Sequence, residues 1–211
     1  MSIRIGFPKI ILWKIKRCIR MSEKFSGLLS KFSFYNKIGI LLVLTYCTPS
    51  VDKTPYKELR ELAFETEYDD IGIQNPNGKT VVYGIIMDWP TQREIVTLAT
   101  FLSGDASIFL TSGASFIGGG GRESIQKSSL RLIHKYAYLW KQGKKVRWTP
   151  NPDLDQVRFF FLTTQGTYYL EDTVSEIDSD TSTLTPMFDE AQAVISEIRI
   201  EAEKEKDDDD E

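Results

Sequence analysis

Ser112 to Gly121 holds five glycines in ten residues, and Arg122 follows directly. A glycine-rich bend that opens a helix can bind an anion through main-chain N–H groups and the helix dipole. Ser112, Gly113, Gly118, Gly119, Gly120, Gly121 and Arg122 are therefore the candidate ligand-binding residues. The spacing from Gly113 to Gly118 matches the start of a phosphate loop. That motif then needs lysine, where this chain has Gly119, and a Ser/Thr metal ligand, which is missing. The dinucleotide fingerprint fails as well, because the strand before the bend belongs to a meander rather than a βαβ unit. The competing reading is structural: the glycines reverse the chain sharply and let a helix pack closely.

Other catalytic arrangements fail at named residues. Ser115 sits in Gly113-Ala114-Ser115-Phe116-Ile117, and a nucleophile elbow would need glycine where Ile117 stands. His134 is the only histidine and borders the apolar stripe of a helix, so it reads as a boundary or surface residue. With one histidine and no cysteine after Cys47, the body has neither a Cys/His dyad nor an ordinary zinc set. Asp207 to Asp210 lack the spaced carboxylates and glycine of a calcium loop. The pairs Asp69/Asp70 and Asp153/Asp155 lie in loops, which leaves glycosidase-type chemistry unsupported. No cofactor is implied, and the pattern leans away from an enzyme.

Charge divides the chain. Residues 1–47 carry nine Lys/Arg and one acid, a net +8, whereas residues 48–211 carry 17 basic and 29 acidic residues, a net −12. An acidic body repels phosphate backbones, which argues against nucleic-acid binding. The basic leader contains Ile38 to Leu44 (IGILLVL), too short to span a bilayer, which needs about 20 residues. It fits the apolar core of a secretory signal. Initiation at Met21 would give that signal an ordinary basic start, leaving residues 1–20 as an over-extended start or a basic amphipathic stretch.

Four elements position the candidate bend, and the rest follow in order. Thr80 to Met87 predicts a buried strand, ended by Asp88-Trp89-Pro90. Glu94 to Leu102 and Ala106 to Thr111 predict a hairpin turned at Ser103-Gly104-Asp105. After the bend, Ile125, Leu132, Ile133, Tyr136, Leu139 and Trp140 predict one amphipathic helix, with Ser128 and Ser129 allowing close approach and Gly143 as its C-cap. Val157 to Thr163 and Thr167 to Leu170 predict two more strands. Pro186 opens a last helix with Thr185 as N-cap. In Phe159-Phe160-Phe161 the middle ring points away from its neighbours, so it needs either a covering helix or a partner.

The expected fold is α+β: a five-stranded antiparallel sheet in β-β-β-α-β-β-α order with two long helices. Residues 1–47 form a leader and anchor segment, 48–79 a linker with a short helix at Pro55 to Phe64, 80–200 the domain, and 201–211 an acidic disordered tail. In element order this resembles the profilin-like and roadblock/longin group, a likeness that carries no function.

Two further resemblances rest on specific residues. Leu44-Thr45-Tyr46-Cys47, after the apolar run, resembles a bacterial lipoprotein signal, with Tyr46 where that family has a small residue. The resemblance implies lipid attachment at Cys47, export, and anchorage in the bacterial cell envelope. Without a working signal the chain would be cytoplasmic. The run Gly104-Asp105-Ala106-Ser107-Ile108-Phe109-Leu110-Thr111-Ser112-Gly113, with Ile117-Gly118-Gly119-Gly120, is similar to a small uncharacterised bacterial family, as is the Val157 to Leu170 hairpin. It implies no activity. The expected function is a membrane-anchored lipoprotein domain that binds an unknown protein or small-ligand partner. The alternative is a sensor or enzyme working at residues 112–122.

Overall fold

Nine residues of β1, Val82–Pro90, form the middle of the sheet, because apolar side chains on both faces let the strand be covered twice. The structure is a computed structural model. It describes residues 54–74 and 78–209, with the side chains of the last helix described as far as residue 204. The remaining elements are α1 Pro55–Glu65, β2 Ile95–Phe101, β3 Ala106–Leu110, β4 Ser115–Phe116, α2 Glu123–Tyr136, β5 Lys144–Val146, β6 Gln156–Thr163, β7 Gly166–Thr173, α3 Val174–Asp178 and α4 Thr185–Asp209. The fold class is α+β, as expected, with every strand pair antiparallel.

Among the described residues the sheet has seven strands, in the order β4-β3-β2-β1-β6-β7-β5, rather than five. The two additions are short edge strands, β4 inside the expected bend and β5 between Gly143 and the strand expected from Val157. Two or three residues are too few to show strand periodicity. Asp88-Trp89-Pro90 does not end β1. The strand runs on, because Asp88 pairs with Thr97 and Trp89 with Val96 across the ladder. A register shift lies between Val82 and Gly84, so Val82 and Ile85 face the same layer although they are three apart.

One face of the sheet carries α2 and α4. Ile85, Met87, Leu98, Val157, Phe159 and Phe161 meet Ile125, Leu132 and Ile133 of α2 and Met187, Ala191, Val194 and Ile198 of α4 in one core. Ser128 and Ser129 are buried on α2, and the Ser129 hydroxyl donates to Asp105 O at 3.3 Å, so the small residues do bring the helix close. The opposite face carries α1. Tyr56 and Ala63 join Tyr83, Ile86, Ala99, Phe101, Phe109, Phe160 and Leu162 in a second core. All three phenylalanines of β6 are thereby buried, and Phe64 of α1 meets Phe160 edge-on at 4.9 Å.

Several boundaries differ from the sequence expectation. The short helix expected at Pro55 to Phe64 is α1, and it packs as a layer on the sheet. α2 ends at Tyr136 and the chain goes on as 3-10 turns through Ala137–Gln142. Gly143 is not a left-handed cap, since its φ is −75°. Glycine is needed there for space: a Cβ would stand 3.0 Å from Tyr169 O and 3.2 Å from Trp140 O. Thr185 begins α4 rather than capping it, its hydroxyl donating to Ile177 O at 3.3 Å. Directly after β7 the chain forms α3, opened by a capping box between Thr173 and Glu176. The tail expected to be disordered is helical through Asp209. The basic leader and Cys47 lie outside the described residues. Among the described residues no helix is long and apolar enough to cross a membrane.

Candidate functional site

The glycine bend is built from both ends of β3. At its far end the chain turns at Gly113, whose φ of +97° requires glycine and whose N–H donates to Leu110 O at 2.9 Å. Ser112 donates from its hydroxyl (2.6 Å) and its N–H (3.3 Å) to the Glu94 carboxylate. β4 then folds back on β3, pairing Ser115 with Phe109 and Phe116 with Ile108. Gly118, at φ +81°, starts a 3-10 turn, Gly119–Gly121, that leads into α2.

Two of the N–H groups here have side-chain partners. Gly118 donates to the Ser107 hydroxyl at 3.2 Å and Gly120 to Asp105 Oδ1 at 3.0 Å. A bound anion would compete with that carboxylate. Gly119 is buried, and a Cβ on it would approach Ile125 Cγ2 to 2.7 Å. Arg122 lies with its guanidinium 4.8 Å above the Phe116 ring and Nε 3.9 Å from Glu201. The Glu201 carboxyl is held below its usual range, first by Lys204 donating to it.

The seven candidate residues therefore form two groups. Ser112 and Gly113 stand beside Glu94, and Gly118 to Arg122 stand by Asp105 at the opposite end of β3. The strand between them spans about 17 Å at ~3.3 Å per residue. His134 is exposed on α2. Among the described residues no group of three or more His, Cys, Asp or Glu is placed to hold a metal ion.

A second polar constellation lies under α1. Thr54 caps that helix, accepting from Lys57 N at 3.4 Å, and Tyr56, Arg60 and Ala63 line its buried side. Asp88 of β1 is 0% exposed. Its Oδ1 accepts from Thr97 Oγ1 at 2.6 Å and from Arg60 Nε at 3.2 Å, and its Oδ2 from Arg60 Nε and Nη2. The Tyr56 and Thr97 hydroxyls are 2.9 Å apart. Burial, then the nearby Asp88 charge, raises the Tyr56 pKa. Arg60 also donates to Thr149 O at 2.6 Å and Pro150 O at 3.3 Å, and its guanidinium lies 4.7 Å above the Phe64 ring.

This is a closed ion pair in which both charges are paired and further hydrogen-bonded. Its chemistry is positional: it fixes α1 and the loop after β5 against the sheet. Sequence reasoning missed it. The usable signals were a single acid inside a long apolar strand and a single arginine on the apolar side of a short helix. The chain matches no family model, no curated protein and no solved structure.

Proposed function

We propose that the chain is an exported, membrane-anchored lipoprotein whose folded part is a binding domain rather than an enzyme. The observation that carries this is the order Ile38 to Leu44, then Leu44-Thr45-Tyr46-Cys47, behind a basic stretch. Several acyl chains on one residue would hold the body at a membrane surface, since each buried methylene contributes about 0.8 kcal/mol. A non-catalytic body is supported by where these donors go: the Gly118 and Gly120 amides and the Arg60 guanidinium spend them on the protein itself. The likeness of the Gly104 to Gly120 run to an uncharacterised bacterial family, and of the element order to the profilin-like and roadblock group, belongs to the same reading and adds no activity.

Anion binding at Gly118 to Arg122 ranks second, because a ligand would have to take the Gly120 N–H from Asp105. Palmitate labelling in a bacterium with lipoprotein machinery tests the first reading. Label is expected on the wild-type chain and not on Cys47→Ala. Equal labelling of the two, or none on either, overturns it.

A further inference from the structure

The edge of the sheet formed by β5 differs in charge from the rest of the folded body. Lys141, Lys144, Lys145 and Arg147 fall within seven residues, all are exposed, and no acid occurs from Lys141 to Pro152. The body around them is net negative. Trp148 follows at once and is 75% exposed. It is also well supported. The next two carbonyls, Thr149 and Pro150, are held by Arg60, and Pro150 also accepts from Arg158 Nη1 at 3.3 Å.

Lysines on an edge strand commonly serve only to prevent strand pairing. That role accounts for Lys144 and Lys145, but not for cations extending to both sides of a three-residue strand. Nor does it account for a large aromatic presented to solvent beside them. A second copy of the same edge is a poor occupant, because pairing would set Lys144 and Lys145 against their equivalents. An anionic bilayer satisfies both features. Its surface attracts clustered Lys and Arg, and tryptophan favours the headgroup level, where its ring is apolar and its N–H stays wet.

We infer that the Lys141 to Trp148 edge seats on anionic lipid headgroups. The inference rests on the proposed membrane location for its access to a bilayer; the leader supplies attachment and this edge sets which side of the domain meets the lipid. The test uses the full chain on phosphatidylcholine vesicles with and without phosphatidylglycerol, in both cases with brominated acyl chains that quench nearby tryptophan. Flotation reports attachment and quenching reports the edge. On the anionic vesicles the wild type is expected to show a quenched fraction that Trp148→Phe removes. The variant K144E/K145E/R147E is expected to fall to the Trp148→Phe level while still floating. Quenching that is the same in the wild type and Trp148→Phe overturns the inference. So does a Trp148 emission shift with polyglutamate but not with anionic vesicles, which would assign the edge to an acidic protein. A chain that fails to float on neutral vesicles but shows Trp148 quenching on anionic ones removes the anchor reading and leaves this one standing.

Discussion

The two faces of the sheet hold their helices by different means. On one, α2 and α4 share a broad apolar core with the sheet, and polar contacts between the helices lie at its margin, as where Arg131 and Lys135 reach Glu190. Burial raises the Glu190 pKa, but those two cations outweigh it and hold the carboxyl below its usual range. On the other face, among the described residues, one 11-residue helix covers a smaller core and carries a buried ion pair. Apolar contact is non-directional and scales with area. A short helix has little area, and its rotation and position on the sheet are weakly specified by such contact alone. The Arg60–Asp88 pair, with Thr97, Tyr56 and the two loop carbonyls, allows one placement.

The sharpest way to break that contrast is to remove one charge. Asp88→Leu leaves Arg60 buried without its partner and is expected to cost about 3–5 kcal/mol, measured by denaturant unfolding. Adding Arg60→Met should return part of the loss, because the uncompensated charge is then gone. A double variant no more stable than Asp88→Leu would show that the lost hydrogen bonds to Thr97, Thr149 and Pro150 dominate instead of the charge.

The broad face can be probed at the glycine bend, which closes onto α2. A Cβ on Gly120 would run into the Asp105 carboxylate that its own N–H binds. Gly120→Ala is expected to cost about 1–3 kcal/mol through overpacking. Nothing lies within 4 Å of a Cβ on Gly121, so Gly121→Ala is the control, expected to leave thermal unfolding nearly unchanged. Equal losses at the two positions would mean that flexibility, not space, is what the glycines supply.

Much of the architecture was legible because it is periodic. The 3.6-residue stripe from Ile125 gave α2 its buried face, and the phenylalanines of β6 announced cover on both sides. Gly104, at φ +86°, turns the hairpin where its sequence placed it. What stayed hidden is what periodicity cannot carry. β5 owes its existence to a neighbour well along the chain, Lys144 pairing with Tyr169, and β4 to a fold-back onto β3 in which Ser115 pairs with Phe109. The partner of Asp88 lies 28 residues away on another element, so the acid looked like the end of a strand. At the candidate bend the motif was legible, whereas the carboxylate occupying one of its amides was not. Asp105 meets Gly120 only after β3 and β4 have folded back.

Tyr83 gives the smallest effect at neutral pH and a readout special to the α1 face. It is buried in that core, and its hydroxyl donates to Thr66 O at 3.1 Å, at the end of α1. Burial, then the charges of Glu67 and Asp70, pushes its pKa up to about 12. An unfolded tyrosine ionises near pH 10. The folded state therefore keeps this proton after the unfolded chain has lost it. The resulting stability is fully present below about pH 10 and is lost as pH rises from about 10 to about 12. Tyr83→Phe should cost about 1 kcal/mol at neutral pH for the lost hydrogen bond, and unfolding free energy in the variant should then fall less steeply across the alkaline window. Tyr56, also raised by burial, leaves a residual slope in both proteins. Parallel alkaline profiles would mean that Tyr83 ionises in the folded protein as it does in the unfolded chain, and that α1 lets water and the neighbouring acids' field be screened at its end.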